Sequence, residues 1–253
     1  MKLTTLKKLE RELTGIAGLD ALSGGLPRGR VVLLLGEPGS GKTIMCTQYL
    51  VNGILKFKEK GLFVSLEENR EHYIEEMNTL SWDVEVLEKN GQFSFIDASP
   101  IRSLPSEGHV GELSVGKPDF SLLSLLEVIK NRATSMGVQR IVVDPISHLI
   151  FQYEDFTKRR KAMLDLVEAL SKTGATCILA SELSEIGWGT KRQLQSEEYL
   201  VHGVILMQTA SIGKSLQRII QVEKMRGISI DRSPRPYKIT ENGIEVYPNE
   251  SIF

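Results

Sequence analysis

The sequence predicts an α/β fold with a mainly parallel central sheet flanked by helices and extended by a C-terminal antiparallel hairpin. Three observations predict it. Five short apolar runs, at residues 31–35, 62–66, 93–96, 141–143 and 176–180, alternate with amphipathic stretches, the rhythm of strands covered by helices. The first run leads directly into a glycine-rich turn and then a helical pattern, so strand, turn and helix form one unit. After about residue 198 the rhythm changes to two long strand-like segments, 199–208 and 215–226, joined by the turn-rich stretch 209–213.

Each element carries its own signal. Leu3, Leu6, Leu9 and Leu13 recur at near-helical spacing and predict a helical segment over residues 1–13, packed on its own domain or on a neighbouring copy. The run 31–35 is apolar throughout, as a strand buried on both faces requires. The helix after it covers 43–58, with Ile44, Tyr49, Ile54, Leu55 and Phe57 marking its pattern. Two long loops are expected, 99–119 with Pro100, Pro105, Gly108, Gly111, Gly116 and Pro118, and 184–197 with Gly187, Trp188 and Gly189. Loops of that length are commonly functional. No linker or repeat interrupts the pattern, so residues 1–253 read as one domain.

Composition narrows the function classes. A chain of 253 residues, 41% hydrophobic and 25% charged, has an ordinary globular make-up. Its net charge of −1 supplies no global attraction to nucleic acid. No apolar stretch approaches membrane-spanning length and Met1, Lys2 and Leu3 lead into charge, so a cytoplasmic protein is expected. Cys46 and Cys177 lack metal-ligand spacing and read as buried thiols, while His72, His109, His148 and His202 are scattered.

Gly36, Glu37, Pro38, Gly39, Ser40, Gly41, Lys42 and Thr43 spell the phosphate-loop pattern G-x-x-x-x-G-K-[ST], in the strand–turn–helix context that the motif needs. Backbone N–H groups must converge on a polyphosphate, and glycine permits both the close approach and a positive φ. The following helix, opening at Thr43 and Ile44, adds its positive end. Lys42 reaches the β- and γ-phosphates, and the Thr43 hydroxyl is a hard oxygen ligand for Mg²⁺. ATP or ADP with Mg²⁺ is therefore the expected ligand. A plain glycine turn would leave Lys42 unexplained.

Hydrolysis needs more parts. Asp144 ends the apolar strand at the edge where open α/β sheets bind ligands, so it is a candidate second metal-side group beside Thr43; the alternative is a helix cap. Glu67 and Glu68 follow a buried strand and either orient the attacking water or begin a helix. Lys224 and Arg226, two apart on a strand, present two cations on one face and suit either a phosphate or a solvated strand edge.

Together these residues resemble single-domain relatives of the circadian clock ATPase KaiC, within the RecA superfamily. The likeness covers nearly the whole chain. It includes Thr14 to Asp20 and Gly24 to Gly29 before the phosphate loop, Gly61 to Glu68, Arg140 to Asp144, Gly174 to Glu182, and Lys224 to Gly227. The resemblance implies a RecA-like fold and a catalytic role for Glu67 with Glu68. It also implies that Lys224 and Arg226 reach the γ-phosphate bound by a neighbouring subunit, in a ring of six. The clock protein has two such domains and autophosphorylates a Ser-Thr pair; here Glu198 and Tyr199 align with that pair, so autokinase activity is not implied.

Three functions follow as expectations. The first is an oligomeric Mg²⁺-dependent ATPase acting through protein partners. The second is a recombination accessory protein, resembling RecA and RadA paralogues, that binds single-stranded DNA through the loop holding Trp188, Lys191 and Arg192. The third binds ATP without meaningful turnover.

Overall fold

Runs such as 31–35 and 141–143 are apolar at every position, so their strands need cover on both faces, and the chain supplies it with helical crossovers. In the computed structural model the described residues are 9–99, 108–110, 113–115, 118–150, 152–153, 155–183, 196–212 and 215–252. The chain opens with β1 (Arg11–Glu12), α1 (Leu19–Ser23) and β2 (Leu26–Pro27), β1 and β2 pairing antiparallel. Next come β3 (Val31–Gly36), α2 (Lys42–Phe57), β4 (Gly61–Ser65), α3 (Arg70–Thr79), α4 (Val84–Lys89) and β5 (Phe93–Asp97). A small pair, β6 (Gly108–Val110) and β7 (Leu113–Val115), precedes α5 (Pro118–Met136), β8 (Arg140–Asp144), α6 (Ser147–Ile150), α7 (Phe156–Lys172) and β9 (Thr176–Glu182). The C-terminal part holds α8 (Ser196–Leu200), β10 (Gly203–Ile212), β11 (Ser215–Met225), β12 (Arg235–Thr240) and β13 (Gly243–Val246).

The main sheet runs in the order β13, β12, β11, β10, β3, β9, β8, β4, β5. From β10 to β5 neighbours are parallel, and from β10 outward to β13 they are antiparallel. Period-two alternation divides the core between the faces. Val32 and Leu34 join the cluster built on Met45, Tyr49 and Leu50 of α2, while Val31, Leu33 and Leu35 join the one built on α5 and α7. Each such side chain contributes about 1.5–3 kcal/mol by leaving water.

One charged group lies inside this apolar frame. Arg140, at the start of β8, is fully buried between the rings of Tyr49 and Phe57, at 4.6 and 5.1 Å from their centroids. Its guanidinium donates to Glu59 at 2.8 Å, to the Leu13 carbonyl at 2.8 Å and to the Tyr49 carbonyl at 3.0 Å, and lies 3.5 Å from Glu12. Gly53 has no Cβ because one would collide with this side chain. Burial pushes the Glu12 carboxyl up, against the opposing effect of the Tyr49 hydroxyl and Arg140. Arg140 thereby ties the entering chain to the first crossover.

Five expectations need correction. The helical segment over 1–13 is not seen where it is described: Arg11 and Glu12 are a strand, exposed then buried, because Glu12 must turn inward to Arg140. Leu9 and Leu13 are 36% and 45% exposed and form no buried stripe; residues 1–8 lie outside the described residues. Tyr199 and Leu200 belong to α8, not to a strand, since β10 begins only where Val32 offers Gly203 a partner. The stretch 209–212 is strand rather than turn, paired residue for residue with 215–218. The loop over 99–119 contains β6 and β7, and α5 already starts at Pro118, whose fixed φ suits the first turn of a helix. The loop over 184–197 ends early, because Ser196 and Glu197 already belong to α8.

Candidate functional site

The C-terminal ends of β3, β9, β8 and β4 lie side by side, with Gly36 opposite Glu182 and Ser65 opposite Asp144. A cleft of about 460 Å³ opens above them, lined by Pro38, Gly39 and Gly41 to Ile44, by Glu67, Glu68 and Asp144, and by Glu76, Glu182 and Ile239. Of the candidates, Gly36 ends β3, Glu37 to Gly41 form the turn, and Lys42, Thr43 and Ile44 open α2. Gly39 and Gly41 hold φ of 74° and 89°, a region where a side chain would be strained. A Cβ at Gly36 would meet Ser40 Oγ at 2.5 Å. The turn is closed by Ser40 N–H donating to the Glu37 carbonyl at 3.1 Å and by Thr209 N–H donating to Glu37 Oε2 at 3.0 Å.

Lys42 folds back on the loop, its Nζ donating to the Gly36 and Glu37 carbonyls at 3.0 and 3.2 Å. Thr43 Oγ1 donates to Asp144 Oδ2 at 2.7 Å. Asp144 is therefore no helix cap. Burial pushes its carboxyl up, opposed by the Thr43 hydrogen bond and the Lys42 charge. Glu67 and Glu68 do not cap α3 either, for Asn69 accepts from His72 N–H in that role. Instead the Ser65 hydroxyl bonds both the N–H and the carbonyl of Glu68, turning the chain sharply after β4.

Glu68 Oε2 is buried without a hydrogen-bond partner among the described residues. Its carboxyl is pushed up to about 7, first by burial and then by the charges of Glu76, Asp144 and Glu67. Between Thr43, Phe63, Ser65, Glu67, Glu68 and Asp144 lies a recess of about 20 Å³, room for one water. Among the described residues no group of three His, Cys, Asp or Glu forms a ready cage for a metal ion. The donors present still fit Mg²⁺, which keeps several waters and takes few protein ligands beside phosphate oxygens. Thr43 and Asp144 supply hard oxygens in mutual contact, and five surrounding carboxylates would repel a polyanion that arrived without a cation.

Lys224 and Arg226 are brought together, but not to this cleft. Val204 pairs with both Leu33 and Lys224, and Gly203 with both Val32 and Met225, so the two cations sit at the opposite end of the strands from Gly36. The setback is three residues from Leu33 to Gly36, about 10 Å at the rise of a strand. There Lys224 Nζ donates to the Glu198 and Val201 carbonyls at 2.6 and 2.9 Å, and Arg226 to the Tyr199 carbonyl at 2.6 Å, at the carbonyl end of α8. Arg30 and His202 stand nearby, 3.3 Å apart. Trp188, Lys191 and Arg192 lie outside the described residues.

Sequence patterns missed four contributors. Glu76 and Glu182 enter the cleft from α3 and β9; the strand-end position of Glu182 was the available signal. Ile239 and Tyr237 come from β12, which together with β13 packs over the loop: Tyr237 donates to the Ser40 carbonyl at 2.6 Å. A second cleft, of about 610 Å³, continues from Pro38 and Gly39 between Leu216, Arg218, Lys238 and Tyr247.

Comparison with known proteins agrees with this geometry. The protein-family model described as "ATPase: KaiC" matches residues 13–251. A UPF0273 protein of Methanocaldococcus jannaschii is 34% identical over 247 residues, covering 96% of this chain and 99% of its own. The circadian clock oscillator protein KaiC of Parathermosynechococcus lividus is 30% identical over 247 residues, covering 97% of this chain. The chain spans only 44% of the length of that clock protein. A crystal structure of a KaiC-like protein from Pyrococcus horikoshii superposes with a TM-score of 0.79 at 30% identity, covering 95% of this chain and all of that one. The RecA-like α/β architecture expected from the sequence is the observed one. No described helix is long and apolar enough to cross a membrane.

Proposed function

The chain belongs to the KaiC family of ATPases, and from that membership we propose that it is one Mg²⁺-dependent ATPase domain whose active site is completed by a neighbouring copy. The observation that carries the reading is the Thr43–Asp144 hydrogen bond beside Lys42, with Glu68, whose Oε2 has no hydrogen-bond partner among the described residues, lining the same small recess. Lys42 gives up the Gly36 and Glu37 carbonyls for the β- and γ-phosphates, a stronger, charge-assisted contact. Thr43 and Asp144 are the residues that would hold Mg²⁺, which would supply charge neutralisation to the phosphates. Glu67 and Glu68 orient the attacking water in the small recess and take its proton as its oxygen bonds to the γ-phosphorus. ADP leaves with the electrons of the broken P–O bond.

Lys224 and Arg226 are set back from their own loop along the strands, which supports the reading that they serve a neighbour's γ-phosphate. Trans cations of this kind are worth about 10³–10⁵ in rate. A ring of six is the assembly that the family resemblance implies, with the cytoplasm as its proposed setting and other proteins as its proposed regulatory partners. Particle mass with and without ATP and Mg²⁺, measured alongside the hydrolysis rate, tests both halves. Rings that hydrolyse and monomers that only bind are expected, and a fully active monomer overturns the shared site.

A further inference from the structure

We propose that Tyr237 is a positioning residue for the phosphate loop: its hydroxyl, bonded to the Ser40 carbonyl, fixes the peptide unit that presents the Gly41 N–H to phosphate. The inference rests on the nucleotide-binding reading given above. Tyr237 and Ser40 are each only 2% exposed, and their hydrogen bond is 2.6 Å long. In a trans peptide the carbonyl and the following N–H point in opposite directions. Holding Ser40 O on Tyr237 therefore aims Gly41 N–H away from the hairpin.

The loop needs such a hold. Gly39 and Gly41 flank Ser40, and glycine lets neighbouring peptides rotate at little cost. The Ser40 hydroxyl has no hydrogen-bond partner among the described residues and does not do the holding itself. The hairpin that carries Tyr237 is in turn pinned to α2: Gln48 Nε2 donates to the Ile244 carbonyl at 3.1 Å, and Ile244 N–H donates to Gln48 Oε1 at 2.8 Å. Ile239 of the same hairpin lies so close to Gly41 that a Cβ there would approach it to 2.9 Å. Burial pushes the Tyr237 phenol well up, which keeps it a donor at every physiological pH.

Tyr237→Phe in the full chain removes one oxygen and leaves the ring packed. Thr240→Val, which cuts the Thr240 hydroxyl from the Gly243 carbonyl at the tip of the same hairpin, controls for general loosening. Direct titration with Mg·ATP should show about tenfold weaker binding for Tyr237→Phe, the loss of one buried hydrogen bond, with KM raised and kcat unchanged. Amide hydrogen exchange at residues 39–43 without nucleotide should quicken in Tyr237→Phe and not in Thr240→Val. Wild-type affinity, unchanged exchange, or an equal effect of Thr240→Val overturns the role. If the wild-type chain binds no ATP, the nucleotide reading fails, while the exchange measurement still decides whether Tyr237 holds the loop.

Discussion

Thr43 Oγ1 and Asp144 Oδ2, 101 positions apart in the chain, meet at 2.7 Å where α2 begins and β8 ends. The carboxylate is buried, and burial raises its pKa, so its charge opposes folding rather than favouring it. Asp144→Asn should therefore fold at least as stably as the parent in thermal unfolding while losing Mg²⁺-dependent hydrolysis. A variant that is both destabilised and active would contradict the assignment.

Glu67 and Glu68 border the water-sized recess, and neither caps α3. Removing the negative charge from either should cost about 10²–10⁴ in turnover, the usual worth of a general base. Glu67→Gln and Glu68→Gln are expected to keep ATP affinity in equilibrium binding. Undiminished single-turnover hydrolysis in both would remove them from the chemistry.

Because Lys42 and Arg226 lie at opposite ends of the strands, they are predicted to serve different nucleotides. Lys42→Ala and Arg226→Ala preparations should each be nearly inactive. Mixed, dissociated and reassembled, they should regain ATPase activity, since a Lys42→Ala copy still offers Arg226 to an intact loop. Activity no greater than the sum of the parts would place the cations elsewhere.

Arg140 is fully buried against Glu59, with Glu12 beside it. Arg140→Met leaves the two acids only the partly exposed Arg28 as a cation and strips the Leu13 and Tyr49 carbonyls of their donor, which should cost about 3–5 kcal/mol in urea denaturation. A loss below about 1 kcal/mol would mean that the acids reach water when the guanidinium is gone.

His202 is held below its ordinary value of 6.5 by burial and by Arg30, Arg226 and Lys224. A depressed histidine pKa means that the unfolded chain binds the proton more readily than the folded one. The contribution of His202 is complete above pH 6.5 and is lost as pH falls below it. His202→Gln should flatten the decline of stability as pH falls below 6.5, read from denaturation midpoints. An unchanged slope would assign the decline to other groups.

Much of this was legible in the chain itself. The runs at 31–35 and 141–143 could only be strands buried on both faces, and Lys42 with Thr43 after Gly41 specified a phosphate loop, because hydropathy period and motif chemistry are local properties. The segments at 1–13 and 199–202 were misread for the complementary reason. Glu12 is drawn inward by Arg140, and the ladder of β10 on β3 begins only at Gly203, just after the bond from the His202 N–H to the Val31 carbonyl, and neither fact is local.

The same division runs through the site. The sequence alone determined the strand–loop–helix unit, the strand-end Asp144 and the paired Glu67 and Glu68, since each is written in adjacent residues. Only the tertiary structure decided that Asp144 engages Thr43, that Tyr237 and Ile239 back the loop, and that Lys224 and Arg226 stand at the far end of the sheet. Strand order and register make those contacts, and they depend on where distant segments pair, which no local pattern encodes.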